Sequence, residues 1–245
     1  MPLLNERWPA ANATLSRAAR LSGELLGLAR EEAERDLARA RQEERGELSL
    51  EILRGFDSVR LRNLLRHWIV QSGAPLPSFR KLQRIEQEAV NGRIDANPLI
   101  GWRGWEVRRF RNSLYLGRSQ PPFLAPDAIY WEAGSTLLLP EGLGRLWLES
   151  SAGGIDKERW SNARVEVRFR QGGERCIPAG QAHHRPLKKL FQEWGMPPWQ
   201  RSRLPLIYLD GELAAIPGLL ICQPFVAPGE SESVMVCWDA PGSAG

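Results

Sequence analysis

The stretch HHRPLKKLFQEWGMPPW, residues 183–199, carries the clearest local signal in the sequence. Pro186 fits the first position of a helix, where a backbone N–H has no intrahelical partner to lose. Gly195 suits a left-handed helix cap, and the prolines at 197 and 198 prevent continuation. The apolar residues between these limits follow i, i+3, i+4, i+7 spacing and define one buried face: Leu187, Leu190, Phe191 and Trp194. Lys188 and Lys189 therefore belong to the flank and the exposed side of this helix.

Basic residues are concentrated around this helix. Residues 164–203 contain nine Lys or Arg and three Glu, whereas residues 204–245 contain five acidic residues and no basic one. A basic block inside a chain of net charge +4 indicates a local surface for a polyanion. The residues expected to bind nucleic acid are those of this block: Arg168, Arg170, Arg175, Arg185, Lys188, Lys189, Arg201 and Arg203. The alternative is that these are solvated surface charges with no ligand.

The chain of 245 residues, 42% of them hydrophobic, is long enough for two ordinary domains. Its three cysteines, at 176, 222 and 237, have neither CxxC spacing nor an even count, so thiols in a reducing cytosol are expected. No apolar run approaches the ~20 residues of a membrane helix, and no signal peptide is evident. We therefore expect a cytoplasmic protein with no membrane partner.

The first half of the chain has helical periodicity. A short N-terminal segment, residues 1–9, resembles the end of a helix followed by a break. A packed bundle helix is expected from about Thr14, with a core face formed by Leu15, Ala18, Leu21, Leu25, Leu28, Ala29, Ala33 and Leu37. Asp57 and Ser78 are candidate N-caps of two further helices. Alternation at residues 105–108 and 114–116 then predicts a β-hairpin.

The proline-rich segment 119–126 is the best linker candidate. We therefore expect a mainly α-helical first domain, residues 1–120, ending in a small β-hairpin. An α+β second domain, residues 121–245, would place short strands around one clear helix. The expected strands lie at residues 136–139, 145–148, 165–170, 206–209, 213–216 and 234–238. Alternation in the strand at 165–170 places Glu166, Arg168 and Arg170 on one open face.

We expect this surface to bind a ligand and not to catalyse a reaction. Arginines on one strand face, the amides of the Gly172-Gly173 loop and a helix start would together offer donors to phosphates. Trp194 and Trp199 could stack on bases, but helical spacing favours a core position for Trp194. The adjacent His183 and His184 form no metal motif, and no GxSxG, Walker A or GxGxxG pattern occurs. Neither a catalytic residue nor a cofactor or metal site is therefore assigned within the chain.

Several segments resemble the bacterial tRNA(Ile)-lysidine synthetase family. Those that resemble its C-terminal domain are VRFR (167–170), GGE (172–174), LKKLFQEWGMPPWQR (187–201), PLIY (205–208) and AAIPG (214–218). Those that resemble its middle domain are RWP (7–9), SRAARL (16–21), LSL (48–50), RHWI (66–69) and WEVRR (105–109). The resemblance covers nearly the whole chain.

The family uses ATP and lysine to convert the wobble cytidine of tRNA(Ile) to lysidine. Its ATP-binding signature, Ser-Gly-Gly-x-Asp-Ser, lies in an N-terminal domain and is absent from this sequence. The resemblance therefore implies a C-terminal fragment, inactive alone, with ATP and Mg expected only in the N-terminal catalytic domain. Implied partners are tRNA(Ile), which these domains would embrace and position, and that N-terminal domain. A second copy, in a homodimer, is a further candidate partner.

Two alternatives remain open at this level. The chain could be a structural or dimerisation module of the synthetase, with little tRNA affinity of its own. It could also be an autonomous enzyme, although that would need a catalytic constellation that the sequence does not contain.

Overall fold

The computed structural model describes residues 10–42, 46–93, 96–132, 134–229 and 231–239. The N-terminal segment 1–9 lies outside these ranges, as do residues 241–245, for which the sequence predicts a frayed end. Two compact units are present, Met1–Pro121 and Pro122–Gly245. The division falls within the proline-rich segment, next to the boundary expected between residues 120 and 121.

The described residues of unit 1 form four α-helices, a π-helix and a four-stranded sheet. The helices are α1 (Ala11–Ala40), α2 (Leu50–Leu53), α3 (Ser58–Gln71) and α4 (Phe79–Arg84), which continues into the π-helix Ile85–Val90. The strands are β1 (Leu48–Ser49), β2 (Leu99–Trp102), β3 (Trp105–Phe110) and β4 (Ser113–Arg118), in the order β1-β4-β3-β2. The expected hairpin is β3–β4, and the sheet adds a strand on each side of it. The sequence predicts a short extended or entry segment at residues 48–50, where β1 lies. It did not predict β2, which is short and is fixed by pairing across the sheet.

Both expected N-caps hold the starts of their helices. The Asp57 carboxylate accepts hydrogen bonds from the backbone N–H groups of Val59 and Arg60, at 2.9 and 3.0 Å. The Ser78 hydroxyl accepts one from the N–H of Lys81 at 3.4 Å. These contacts satisfy N–H groups that lack an intrahelical acceptor, and backbone hydrogen bonding lowers the pKa of Asp57.

Helix α1 departs from the packed helix that its periodicity predicts. Ala33 and Leu37 are buried as expected, together with Ala40, because this end of the helix packs on α3. The remaining leucines of the predicted core face are exposed: Leu15, Leu21, Leu25 and Leu28. An apolar stripe therefore has no covering element within the described residues.

In the part of unit 2 that the structure describes, there are ten strands in three sheets and three short α-helices. The strands are β5 (Ile129–Tyr130), β6 (Leu137–Leu138), β7 (Arg145–Asp156), β8 (Val165–Phe169), β9 (Arg175–Cys176), β10 (Arg185–Pro186), β11 (Pro205–Leu209), β12 (Glu212–Ile216), β13 (Leu220–Ile221) and β14 (Ser233–Asp239). They form a five-stranded sheet, β13-β12-β11-β8-β5, a three-stranded sheet, β14-β7-β6, and the pair β10-β9. The helices are α5 (Lys157–Asn162), α6 (Leu187–Glu193) and α7 (Pro198–Arg201).

The helix expected at residues 187–194 is α6. Leu187, Leu190 and Phe191 are buried in the unit 2 core, and Trp194 packs against that core. Pro186 has an extended conformation and is the N-cap, one residue before its expected position. Gly195 has a φ of 65°, as a left-handed helix end requires.

Candidate nucleic-acid interface

Three basic side chains are gathered where β9, β10 and α6 meet. Strand β9 pairs with β10 so that Arg175 lies opposite Pro186. Helix α6 begins at the next residue, and the Leu187 N–H donates to the carbonyl oxygen of Glu174 at 2.9 Å. Lys188 and Lys189 therefore lie in the first turn of a helix fastened beside Arg175. We call Arg175, Lys188 and Lys189 the basic cluster.

The positive charge of the basic cluster is not balanced by ion pairs within the described residues. All three side chains are exposed, and none forms an ion pair within the described part of the chain. The nearest acidic residues in sequence, Glu174 and Glu193, are engaged by other arginines. Because no carboxylate neutralises it, this cluster is available to an anionic ligand.

The two arginines expected to act together on β8 contact different partners. Arg168 donates to the Glu166 carboxylate from Nε at 2.9 Å, and its guanidinium lies 4.4 Å from the centre of the Tyr208 ring. Arg170 Nε lies 3.6 Å from Glu174 Oε2, and its guanidinium lies 5.7 Å from the centre of the Phe191 ring. Each arginine is therefore already paired with a carboxylate and an aromatic ring.

The remaining three candidates are also engaged by the protein. Arg185 forms an ion pair with Glu193, and the Arg203 guanidinium lies 5.1 Å from the centre of the Phe123 ring. Arg201 differs most from the expectation, because it is only 8% exposed. Its Nε donates to the carbonyl oxygen of Met196 at 2.8 Å, and a second guanidinium nitrogen donates to the same oxygen. It serves the fold of α7 and not the surface.

The glycine loop offers fewer donors than its sequence suggests. Gly172 and Gly173 have φ values of 101° and 88°. The resulting turn directs the N–H groups of Gln171 and Gly172 to Glu174 Oε1, at 2.6 and 2.7 Å. An internal carboxylate thus occupies the position that we expected a phosphate to take. Exposed histidines 183 and 184 precede β10 and do not begin a helix.

A second basic feature, missed at the sequence level, lies on the five-stranded sheet. Register places Tyr130 of β5 and Tyr208 of β11 on either side of Glu166 of β8. Arg164 Nε lies 3.3 Å from Glu166 Oε1, and the Arg164 guanidinium lies 4.2 Å from the centre of the Tyr130 ring. The Arg168 guanidinium lies against the Tyr208 ring in the same way. We call these five side chains the arginine–tyrosine row: Tyr130, Arg164, Glu166, Arg168 and Tyr208.

The i, i+2, i+4 spacing of 164, 166 and 168 was visible in the sequence. The tyrosines could not be assigned to them because strand register depends on long-range pairing. Burial is the main cause that raises the pKa of Tyr208, and the nearby Glu174 carboxylate raises this pKa further.

Most outward arginines of the unit 1 helices are neutralised. Arg60 donates to Asp36 from two nitrogens, at 2.6 and 2.7 Å, and this contact raises its pKa. Arg62 donates to Glu86 at 2.8 Å, and Arg84 to Glu88 at 2.6 Å. These pairs fasten helices to one another or lie along one helix, so they add little unbalanced charge.

The cysteines are thiols at all three positions. A hydrogen bond between Cys176 and Cys222 raises the pKa of Cys222 and lowers that of Cys176. No group of three or more metal-ligating side chains occurs in the described ranges. None of the helices described there is long and apolar enough to cross a membrane.

Two family models match the chain. The TilS substrate binding domain matches residues 48–115, and the TilS substrate C-terminal domain matches residues 165–238. The first falls within unit 1 and the second within unit 2. The second contains the basic cluster and three members of the arginine–tyrosine row, Glu166, Arg168 and Tyr208, whereas Tyr130 and Arg164 precede it. A solved structure titled "Crystal structure of TILS C-terminal domain" matches 48% of the chain at 23% identity, with a TM-score of 0.38, which is too low to support an argument.

Curated relatives are similar over nearly the whole chain. A tRNA(Ile)-lysidine synthase of Coxiella burnetii is 39% identical over 94% of the chain and 51% of its own length. Proteins of the same name from Methylococcus capsulatus and Serratia proteamaculans are 38% and 37% identical, each over 97% of the chain. The chain spans about half the length of these relatives, 51% to 55%. With both domain models matched in order, the chain belongs to the TilS family and carries its substrate-binding and C-terminal domains.

Proposed function

We propose that this chain binds and positions tRNA(Ile) for lysidine formation and performs no chemistry itself. The observation that carries the proposal is the basic cluster, three exposed cations that pair with no carboxylate of the described residues and that lie in a TilS C-terminal domain. ATP, Mg and lysine would be handled by the part of the relatives that this chain does not match, so a synthase reaction would need that part.

The chemistry of the basic cluster suits a phosphate backbone. A lysine ammonium is a compact charge that tolerates many phosphate orientations, whereas the arginine guanidinium can donate two parallel hydrogen bonds. Such contacts fix the register and orientation of the nucleic acid and carry no direct sequence information. We therefore assign the cluster to holding the tRNA, with discrimination among tRNAs arising from shape or base contacts elsewhere.

The proposal is tested by the salt dependence of tRNA(Ile) binding. The logarithm of the affinity falls linearly with the logarithm of the salt concentration. Each lost phosphate contact makes this fall less steep by about 0.9, the value for duplex nucleic acid. At ~0.15 M salt, two lost contacts therefore weaken binding by roughly 30-fold. We expect this effect for the double variant Lys188→Ala/Lys189→Ala, measured by fluorescence anisotropy.

The matched control is Arg145→Ala/Lys157→Ala. These residues are exposed cations of unit 2 that pair with Asp239 and Glu232. Because the control also removes two cations, it changes the net charge by the same amount. We expect the control to bind like the unmodified chain. If both double variants lost the same tRNA affinity, the loss would be explained by net charge alone, and the basic cluster would not be part of the interface. No affinity of the unmodified chain for tRNA(Ile) would overturn the proposal.

A dimerisation module is the second candidate, favoured by the exposed leucines of α1. Leu21, Leu25 and Leu28 are exposed on the part of the helix that precedes its contact with α3. A second copy could cover them. Sedimentation equilibrium separates the candidates, because a stable dimer without tRNA affinity would favour this role. A dimer that Leu25→Glu dissociates would place the contact on α1.

A further inference from the structure

The arginine–tyrosine row is built around a buried carboxylate. Glu166 is 7% exposed and lies between Arg164, which immediately precedes β8, and Arg168 of the same strand. Arg164 and Arg168 are two residues before and after it, so all three side chains leave the same face of β8. The carboxylate therefore holds both guanidinium groups on the same face of the sheet.

The tyrosines flank this carboxylate on the neighbouring strands. Neighbouring strands lie about 4.8 Å apart, so Tyr130 and Tyr208 are separated by roughly 10 Å across β8. Each supports one guanidinium, with distances to the ring centres of 4.2 and 4.4 Å. The sheet thus holds two arginine–tyrosine pairs at a spacing set by its own geometry.

The row is accessible from solvent. The side chains of Arg164 and Arg168 are 63% and 40% exposed, and Tyr130 is 57% exposed. The carboxylate is the shielded member of the group. A ligand that approaches would therefore meet planar cationic and aromatic groups before it met the negative charge.

The charge balance disfavours a bare phosphate as the ligand. Both guanidinium groups already engage Glu166, and a phosphate would have to compete with that buried carboxylate for the same donors. Stacking makes no such demand, because a base can lie against a guanidinium or phenol plane while the ion pairs stay intact. The net charge of +1 still favours an anionic chain nearby.

We propose that the arginine–tyrosine row binds unpaired nucleotides of RNA by stacking. The inference rests on the proposed function in that the RNA would be part of a bound tRNA. Bases inside a duplex are stacked on one another and cannot reach these planes, so the ligand must be single-stranded. The basic cluster would then hold phosphates, and the row would hold bases.

The test uses a fluorescently labelled single-stranded RNA hexamer and the whole chain. Loss of one stacked base weakens binding by about 5- to 100-fold, and we expect this for Tyr130→Ala. Arg164→Lys keeps the charge and removes the plane, so it should also weaken hexamer binding by several-fold. Tyr130→Phe restores the ring without the hydroxyl and should recover the affinity that Tyr130→Ala loses.

Duplex RNA and salt distinguish this site from the basic cluster. The row variants should leave binding of an RNA hairpin without unpaired ends unchanged, and should leave the salt slope of tRNA binding unchanged. Circular dichroism checks that Tyr130→Ala is folded, and Arg164→Lys provides a second, milder test. If both variants bind the hexamer like the unmodified chain, the stacking site is refuted. The tRNA response of Lys188→Ala/Lys189→Ala would then still decide the proposed function separately.

Discussion

Arg201 provides a sharp test of which arginines serve the fold and which serve a ligand. Replacing it by Ala removes two hydrogen bonds to the carbonyl oxygen of buried Met196. An unsatisfied buried acceptor costs about 1–3 kcal/mol, and loss of the packed arginine stem adds about 1 kcal/mol. We therefore expect Arg201→Ala to destabilise unit 2 by about 2–4 kcal/mol.

A phosphate-binding Arg201 would behave in the opposite way. Its removal would change stability by less than about 0.5 kcal/mol, as surface substitutions do, and would weaken tRNA binding by about fivefold. Native-state hydrogen exchange separates the two cases, because peptides from β11 and β12 report on unit 2 and peptides from β3 and β4 provide an internal reference. A variant with unchanged exchange and weakened tRNA affinity would refute the structural role of Arg201.

Other perturbations test the packing and the electrostatics of each unit. Gly154→Ala should destabilise unit 2 by about 2 kcal/mol in urea unfolding, because a Cβ there would lie 2.4 Å from the carbonyl oxygen of Val234. Leu64→Ala empties a fully buried site in unit 1 and should cost about 2–5 kcal/mol, with exchange in unit 2 unchanged. Burial raises the pKa of Tyr208, so the unfolded chain ionises first and stability falls as the pH rises through about 10. Tyr208→Phe should flatten that alkaline loss in melting temperature; an unaltered slope would contradict this reading.

The local features of the fold were accessible from the sequence. Leu187, Leu190 and Phe191 are buried as their spacing predicts, and Asp57 and Ser78 cap helices, because capping and amphipathicity involve residues a few positions apart. These features depend on nearest neighbours along the chain and not on the tertiary arrangement.

Features that depend on long-range contacts were not accessible. The stripe of α1 has the same periodicity where it is buried, at Leu37, as where it is exposed, at Leu25. Periodicity identifies an apolar face but not the element that covers it. Charge has the same limitation, because Arg201 and Lys188 both count as basic residues, and only tertiary packing separates a buried guanidinium from an exposed ammonium.

The pairing of β7 with β14 has a consequence for the order in which the units form. Asp156 lies opposite Ser233 and Arg145 opposite Asp239, so the three-stranded sheet joins segments that lie before and after strands β8 to β13 in the sequence. Closing a loop of about 80 residues costs about 2 kcal/mol more than closing a loop of about 10. The described strands of unit 1 all end before residue 119, so during synthesis unit 1 can fold while unit 2 still lacks β14, the strand that pairs along most of β7. Topologies dominated by such distant pairings fold slowly, and this sheet is expected to form last.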